Sequence, residues 1–123
     1  MSTMSGKYGL PIEKWEEAKE EIRKILIGRA KILNPISYSE LASQIMTIQI
    51  EPHEYALAEM LGEISIAEDN AGRGLLSILV IHKDGDMMPG QGLFDLAENR
   101  GRDTSDREKF WINELNFVHS HWK

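Results

Sequence analysis

The sequence predicts an α+β fold, mostly helical, with a small antiparallel sheet or hairpin and two C-terminal helices. Three observations carry this. Apolar residues recur at steps of three and four from Trp15 to Leu33 and again from Trp111 to Trp122, the pattern of helices with one buried face. Leu75 to His82, LLSILVIH, is apolar except for Ser77 and His82, and has the length and composition of a buried strand. Asp84-Gly85 follows at once, a hairpin signal because a type I′ turn needs positive φ twice. Three helices followed by a hairpin is the winged-helix order, in which the hairpin is the wing and the third helix reads the partner.

Residues 1–10 are small, polar and glycine-containing, and are expected to be disordered, leaving 11–123 as a single winged-helix-like domain. Pro11 suits a helix start. The first helix carries Trp15, Ala18, Ile22, Ile25, Leu26, Ala30 and Leu33 on one face, with acids early and Arg29 and Lys31 late, complementing the dipole. Asn34-Pro35 ends it. Ile36 reads as a short extended link. Ser37 to Glu40 is a capping box, Ser at the cap and Glu three residues on, opening a second helix to about Met46. Thr47 to Ile50 reads as extended. A third helix is expected from about His53 to Ala67, with Leu57, Met60, Leu61 and Ile64 inward and Glu54, Glu59, Glu63 and Glu68 on or near its outer side.

Asp69 to Gly74 is a turn cluster. The core strand and hairpin come next. Leu93 to Asn99 reads as a short helix stopped by Arg100-Gly101. Ser105 to Glu108 reads as a second capping box. The last helix is expected to pack Trp111, Leu115, Val118 and Trp122 on Trp15, Ile22 and Ile25.

Composition narrows the function. The chain has 123 residues, 41% hydrophobic and 28% charged, ordinary for a globular protein. It has no cysteine, which excludes disulfides, thiolate metal sites and cysteine nucleophiles and suits a reducing cytoplasm. No apolar run reaches the roughly 20 residues of a membrane span, and the first residues lack an apolar signal core. The expected location is the cytoplasm. The net charge is −6, unfavourable for generic binding to a phosphate backbone and better matched to a basic protein partner. Charge is uneven: residues 1–33 carry seven Lys/Arg against five Glu, and the other 90 carry seven against fifteen acids.

Four constellations could carry chemistry. His82, Lys83, Asp84 and Asp86 could hold a divalent metal or supply a general base, but their spacing matches no metal motif and reads equally as a polar hairpin tip. Gly85 belongs to the same turn. Pro89-Gly90-Gln91-Gly92 ahead of a helix could offer N–H groups to an anion, yet a tight turn into the helix explains Gly90 and Gly92 as well. Arg73, Arg100 and Arg102, with Arg107, could read phosphate; local pairing with Asp95, Asp103 and Asp106 is the alternative. His119 and His121, two apart on a helix, point to different faces, which argues against joint metal ligation. No serine lies in a GxSxG setting. Neither a metal site, a cofactor nor a catalytic residue is expected.

Ile36-Ser37-Tyr38-Ser39-Glu40-Leu41-Ala42 resembles the "isYgeLA" segment in the DNA-binding half of alkylguanine-DNA alkyltransferases and alkyltransferase-like proteins. The order of later elements to about residue 95 is similar. The resemblance implies a winged-helix-like shape much more than a role in DNA repair. Two departures limit it. The reactive Pro-Cys-His-Arg motif is absent, so alkyl transfer is excluded, and the matching third helix carries Glu54, Glu59 and Glu63 where the family places an arginine. The sequence therefore leads to a non-catalytic winged-helix-like binding module, expected to associate with nucleic acid, with Tyr38, Arg73, Lys83, Arg100 and Arg102 as the candidate contacts to nucleic acid or to another partner. The alternatives are an acidic protein-interaction module of the immunity or antitoxin type, and a metal-dependent enzyme built on His82, Asp84 and Asp86. Nucleic acid and a basic protein both remain as partners, and oligomeric state is open.

Overall fold

A computed structural model describes residues 7–123. Its elements are α1 (Ile12–Lys31), β1 (Ile36–Ser37), α2 (Tyr38–Gln44), α3 (Tyr55–Asn70), a 3-10 turn (Leu76–Leu79), β2 (Val80–Ile81), α4 (Gln91–Asn99) and α5 (Arg107–Trp122). The chain is mostly helical with a two-stranded sheet, as expected. No helix is long and apolar enough to cross a membrane, among the described residues.

The sheet corrects the expectation of an antiparallel hairpin. β1 and β2 pair in parallel, Ile36 opposite Val80 and Ser37 opposite Ile81. Parallel neighbours need a long crossover, and α2 and α3 supply it. No returning strand follows β2, because Lys83 to Gly92 has no alternating apolar residues to cover a sheet face. The chain turns instead, His82 O accepting from Gly85 N and Met87 N, and closes with His82 N donating to Met88 O. Asp84-Gly85 is not a type I′ pair: the positive φ in this turn, 61°, falls on Met87. The type I′ geometry occurs at Tyr8-Gly9, with φ 52° and 80°, between mutually bonded Lys7 and Leu10. Those residues were expected within the disordered tail; residues 1–6 of that tail lie outside the described residues.

Leu75 to Ile81 is the buried centre, but not one continuous strand. It winds as a 3-10 turn before entering β2, with α1, α3 and α5 packed around it. A buried backbone without ladder partners must find others. Here the Glu114 carboxylate accepts from Leu75 N (2.9 Å) and Ser65 Oγ from Ser77 N (2.9 Å). Trp111 Nε1 donates to Ile78 O (3.2 Å). α3 and α5 therefore supply the hydrogen bonds that a sheet would have supplied.

α1 buries Trp15, Ala18, Ile22, Leu26 and Ala30, the expected face, but ends before Leu33. Leu33 takes φ 51° in a closing motif where Asn34 N reaches Arg29 O and Leu33 N reaches Ala30 O. α3 and α4 end in the same way with glycines, Gly72 (φ 80°) and Gly101 (φ 89°), as the turn cluster and Arg100-Gly101 led one to expect. Ser37 caps α2 as read, accepting from Glu40 N at 3.0 Å. At α5 the cap is Asp106, accepting from Lys109 N, rather than Ser105. α5 packs on α1 through buried Leu115 and Val118. Trp15 instead meets α3 and the N-terminal turn, donating to Glu63 Oε1 (3.0 Å) and stacking with Tyr8.

Candidate binding cleft around Tyr38 and His82

The parallel register builds the site. One residue beyond Ser37 and Ile81 stand Tyr38 and His82, so the two rings leave the sheet side by side. They stack at 4.5 Å between centroids and 25° between planes. The Ser37 cap starts α2 at Tyr38, whose ring is partly buried against the core. Gly90 N donates to the Tyr38 hydroxyl (3.1 Å). A Cβ at Gly90 would lie 3.1 Å from that hydroxyl and 3.4 Å from His82 Nε2, so glycine lets the backbone nest against the stack. Burial pushes the Tyr38 phenol above its ordinary pKa, with the Gly90 N–H pulling against it, so Tyr38 is a neutral hydroxyl at physiological pH.

The stack stands between two clefts and lines both. One, of about 690 Å3, opens over Ser37, Ser39 and the turn Lys83 to Asp86. The other, of about 560 Å3, runs between α3 and the start of α4, against Tyr55, Leu61, Gly62, Gly92, Leu93 and Leu96. A third hollow, of about 510 Å3, adjoins both through Ser39 and Pro52 and carries Met46 and Ile48 on the Ile45–Pro52 loop. Together they form a concave face around the start of α2. Tyr55 and Met46 are more than 80% exposed on it, unusual for large apolar side chains.

The candidate cations are engaged by carboxylates of the same chain. Arg73 makes two hydrogen bonds to Glu68 (2.8 and 2.9 Å), which Arg23 also holds. Arg100 and Arg102 both bind Asp69, and Arg102 reaches Glu114 (3.2 Å). Lys83 lies 3.5 Å from Glu40, itself bound by Arg29. Pairing thus prevails for Arg73, Arg100 and Arg102, but with Glu68, Asp69 and Glu114 rather than Asp95, Asp103 and Asp106; Arg107 instead binds Gln91 and lies over the Phe94 ring. Glu68 is correspondingly buried, not on the outer side of α3, because two guanidinium groups balance its charge. Lys7 and Lys19 likewise bind Glu63, and Lys7 also binds Glu59. The positive excess of the first 33 residues is largely consumed by these contacts.

Of the turn residues, His82 and Gly90 are brought to the Tyr38 stack. Asp84, Gly85 and Asp86 rim one cleft, and Gly92 lines the other. His82, Asp84 and Asp86 do not converge: among the described residues no three His, Asp or Glu side chains could jointly hold a metal. Tyr55, Pro52, Gly62 and Leu96 went unrecognised in the sequence as cleft residues. Gly62 alone carried a signal, a glycine inside a helix with no turn to explain it. No protein-family model matches the chain, nor does any curated protein or solved structure.

Proposed function

We propose that this chain is a non-catalytic binding module, winged-helix-like in its order of three helices and an exposed turn, whose partner is a protein rather than a nucleic acid. The observation that carries the choice is the fate of the cations. Arg73, Arg100, Arg102 and Lys83 each face a carboxylate, while Glu54, Asp84 and Asp86 on the Tyr38–His82 clefts and Glu51 in the adjoining hollow have no Lys or Arg ion pair among the described residues. Binding to a phosphate backbone depends on cations that displace counterions, and this concave face offers carboxylates instead. A basic protein surface complements it. The Tyr38 segment, by its resemblance to a DNA-binding half, is what supports the nucleic-acid reading.

Fluorescence anisotropy at low salt, with mixed-sequence duplex and single-stranded DNA, tests the choice. The expected result is no saturable binding at about 100 μM, the weak end of non-specific DNA affinity. Saturable binding in that range that falls steeply with salt and weakens in Tyr38→Ala would overturn the protein-partner reading.

A further inference from the structure

We infer that the cleft between α3 and α4 seats one aromatic side chain of a basic segment of the partner protein. This rests on the protein-binding reading above and specifies its occupant. Three glycines border the cleft, and their surroundings differ. Gly90 is required by the chain itself, since a Cβ would press on Tyr38 and His82. Gly62 and Gly92 are not: a Cβ at either meets nothing within 4 Å, and neither has positive φ. Gly62 nevertheless sits inside the 16-residue helix α3, where glycine costs about 0.5–1 kcal/mol relative to alanine. Internal packing gives no reason for that cost. Both open positions line the same cleft, so both helices there present bare backbone to whatever enters it.

The chemistry of the walls selects the guest. Leu61, Leu93 and Leu96 give an apolar floor, and Tyr38, His82 and Tyr55 give aromatic edges. The volume, about 560 Å3, falls within the roughly 300–1,000 Å3 range of pockets that take drug-sized ligands and leaves room for an aromatic side chain with its neighbouring backbone. Flat aromatic side chains enter such a space with little loss of rotamer freedom and are among the commonest interface anchors. Glu54 lines this cleft, Asp84 and Asp86 rim the neighbouring one across the Tyr38–His82 stack, and Glu51 lines the adjoining hollow, so the residues flanking the anchor should be Lys or Arg.

The test uses the full chain and three fluorescein-labelled heptapeptides at about 150 mM salt, where long-range charge attraction is screened. The first is Lys-Lys-Gly-Trp-Gly-Lys-Lys. The second replaces Trp by Ala, and the third replaces every Lys by Glu. The Trp–Lys peptide should bind about tenfold or more tighter than either companion, as expected of an anchor residue. Gly62→Leu, which fills the open space on a helix face, should remove that binding while leaving thermal stability equal or higher. Equal binding of the Ala peptide, or undiminished binding by Gly62→Leu, overturns the aromatic seat and leaves the protein-partner reading standing. Failure of all three peptides also overturns the seat. Salt-sensitive DNA binding is the separate result that sinks the reading beneath it.

Discussion

Among the described glycines, Gly74 leaves the least room for a side chain. Its φ is 89°, and a Cβ would lie 2.8 Å from Phe117 Cδ2 and 3.0 Å from Glu114 Oε2 and Val118 Cγ2. The absent side chain lets the chain pass under α5 just before Leu75 N meets the Glu114 carboxylate. Gly74→Ala combines a left-handed backbone with overpacking and should cost about 2–4 kcal/mol, read from urea unfolding. A loss under about 1 kcal/mol would contradict the close approach of α5. Gly62→Ala has neither problem and should stabilise by about 0.5–1 kcal/mol in the same assay. At Tyr38, removal of the hydroxyl leaves Gly90 N without its acceptor. Tyr38→Phe should therefore cost about 1 kcal/mol and increase amide exchange at Gly90.

Among the elements, the helix ends carry the clearest tests. Leu33 holds a left-handed position that α3 and α4 give to Gly72 and Gly101. A leucine there is strained, and its side chain is 40% exposed, so little packing offsets the strain. Leu33→Gly should raise stability by about 0.5–1 kcal/mol, the left-handed penalty less the added chain entropy of glycine. Thermal unfolding decides it, and a lower midpoint would contradict the argument. The caps separate in the same way. Ser37→Ala and Asp106→Ala should each cost about 1 kcal/mol, whereas Ser105→Ala should stay within about 0.5 kcal/mol. The adjacent cap shows why the Ser105 box misled: Asp106 also has a residue three positions on whose N–H it can hold, and a carboxylate suits a helix N-terminus as well as a hydroxyl.

At the scale of the whole molecule, ion pairs join elements that are distant in sequence, and they set the acid limit of the fold. Hydrogen bonds from Arg102 and then Arg100, against burial, hold the Asp69 carboxyl down to about 2. Burial pushes Glu63 up, but hydrogen bonds from Lys19, Lys7 and Trp15 outweigh it and bring it down to about 2. Both groups bind protons more weakly folded than unfolded. Their contribution is complete above the ordinary carboxylate range and is lost as pH falls from about 4.5 towards 2. The urea midpoint should thus hold steady from neutral pH to about 5 and then drop steeply. Asp69→Asn should lower stability at neutral pH by about 2 kcal/mol and shallow the acid limb. An unchanged limb in that variant would show that the Arg100–Asp69–Arg102 triad is not a determinant of acid stability.

The sequence by itself determined what depends on near neighbours. The helical face of α1, the Leu115 and Val118 part of the α5 face, the Ser37 cap, the glycine stops at Gly72 and Gly101, and the burial of Leu75 to Ile81 all follow from periodicity and local backbone preference. Tertiary structure decided what depends on residues far apart. Leu75 to Leu79 could wind as a 3-10 turn only because Ser65 and Glu114, from other helices, satisfy its backbone. β2 pairs in parallel because β1 stands at its edge after a crossover, and no local pattern in Lys83 to Gly92 could return as a strand. Arg73, Arg100 and Arg102, read as part of a phosphate patch, were neutralised by Glu68, Asp69 and Glu114, two of which lie within one turn of the α3 end and the third on α5. The cleft itself belongs to this second kind: Tyr38 and His82 are 44 positions apart and meet only through the register of two short strands. Charge and stacking act through space, and a sequence lists its residues along a line.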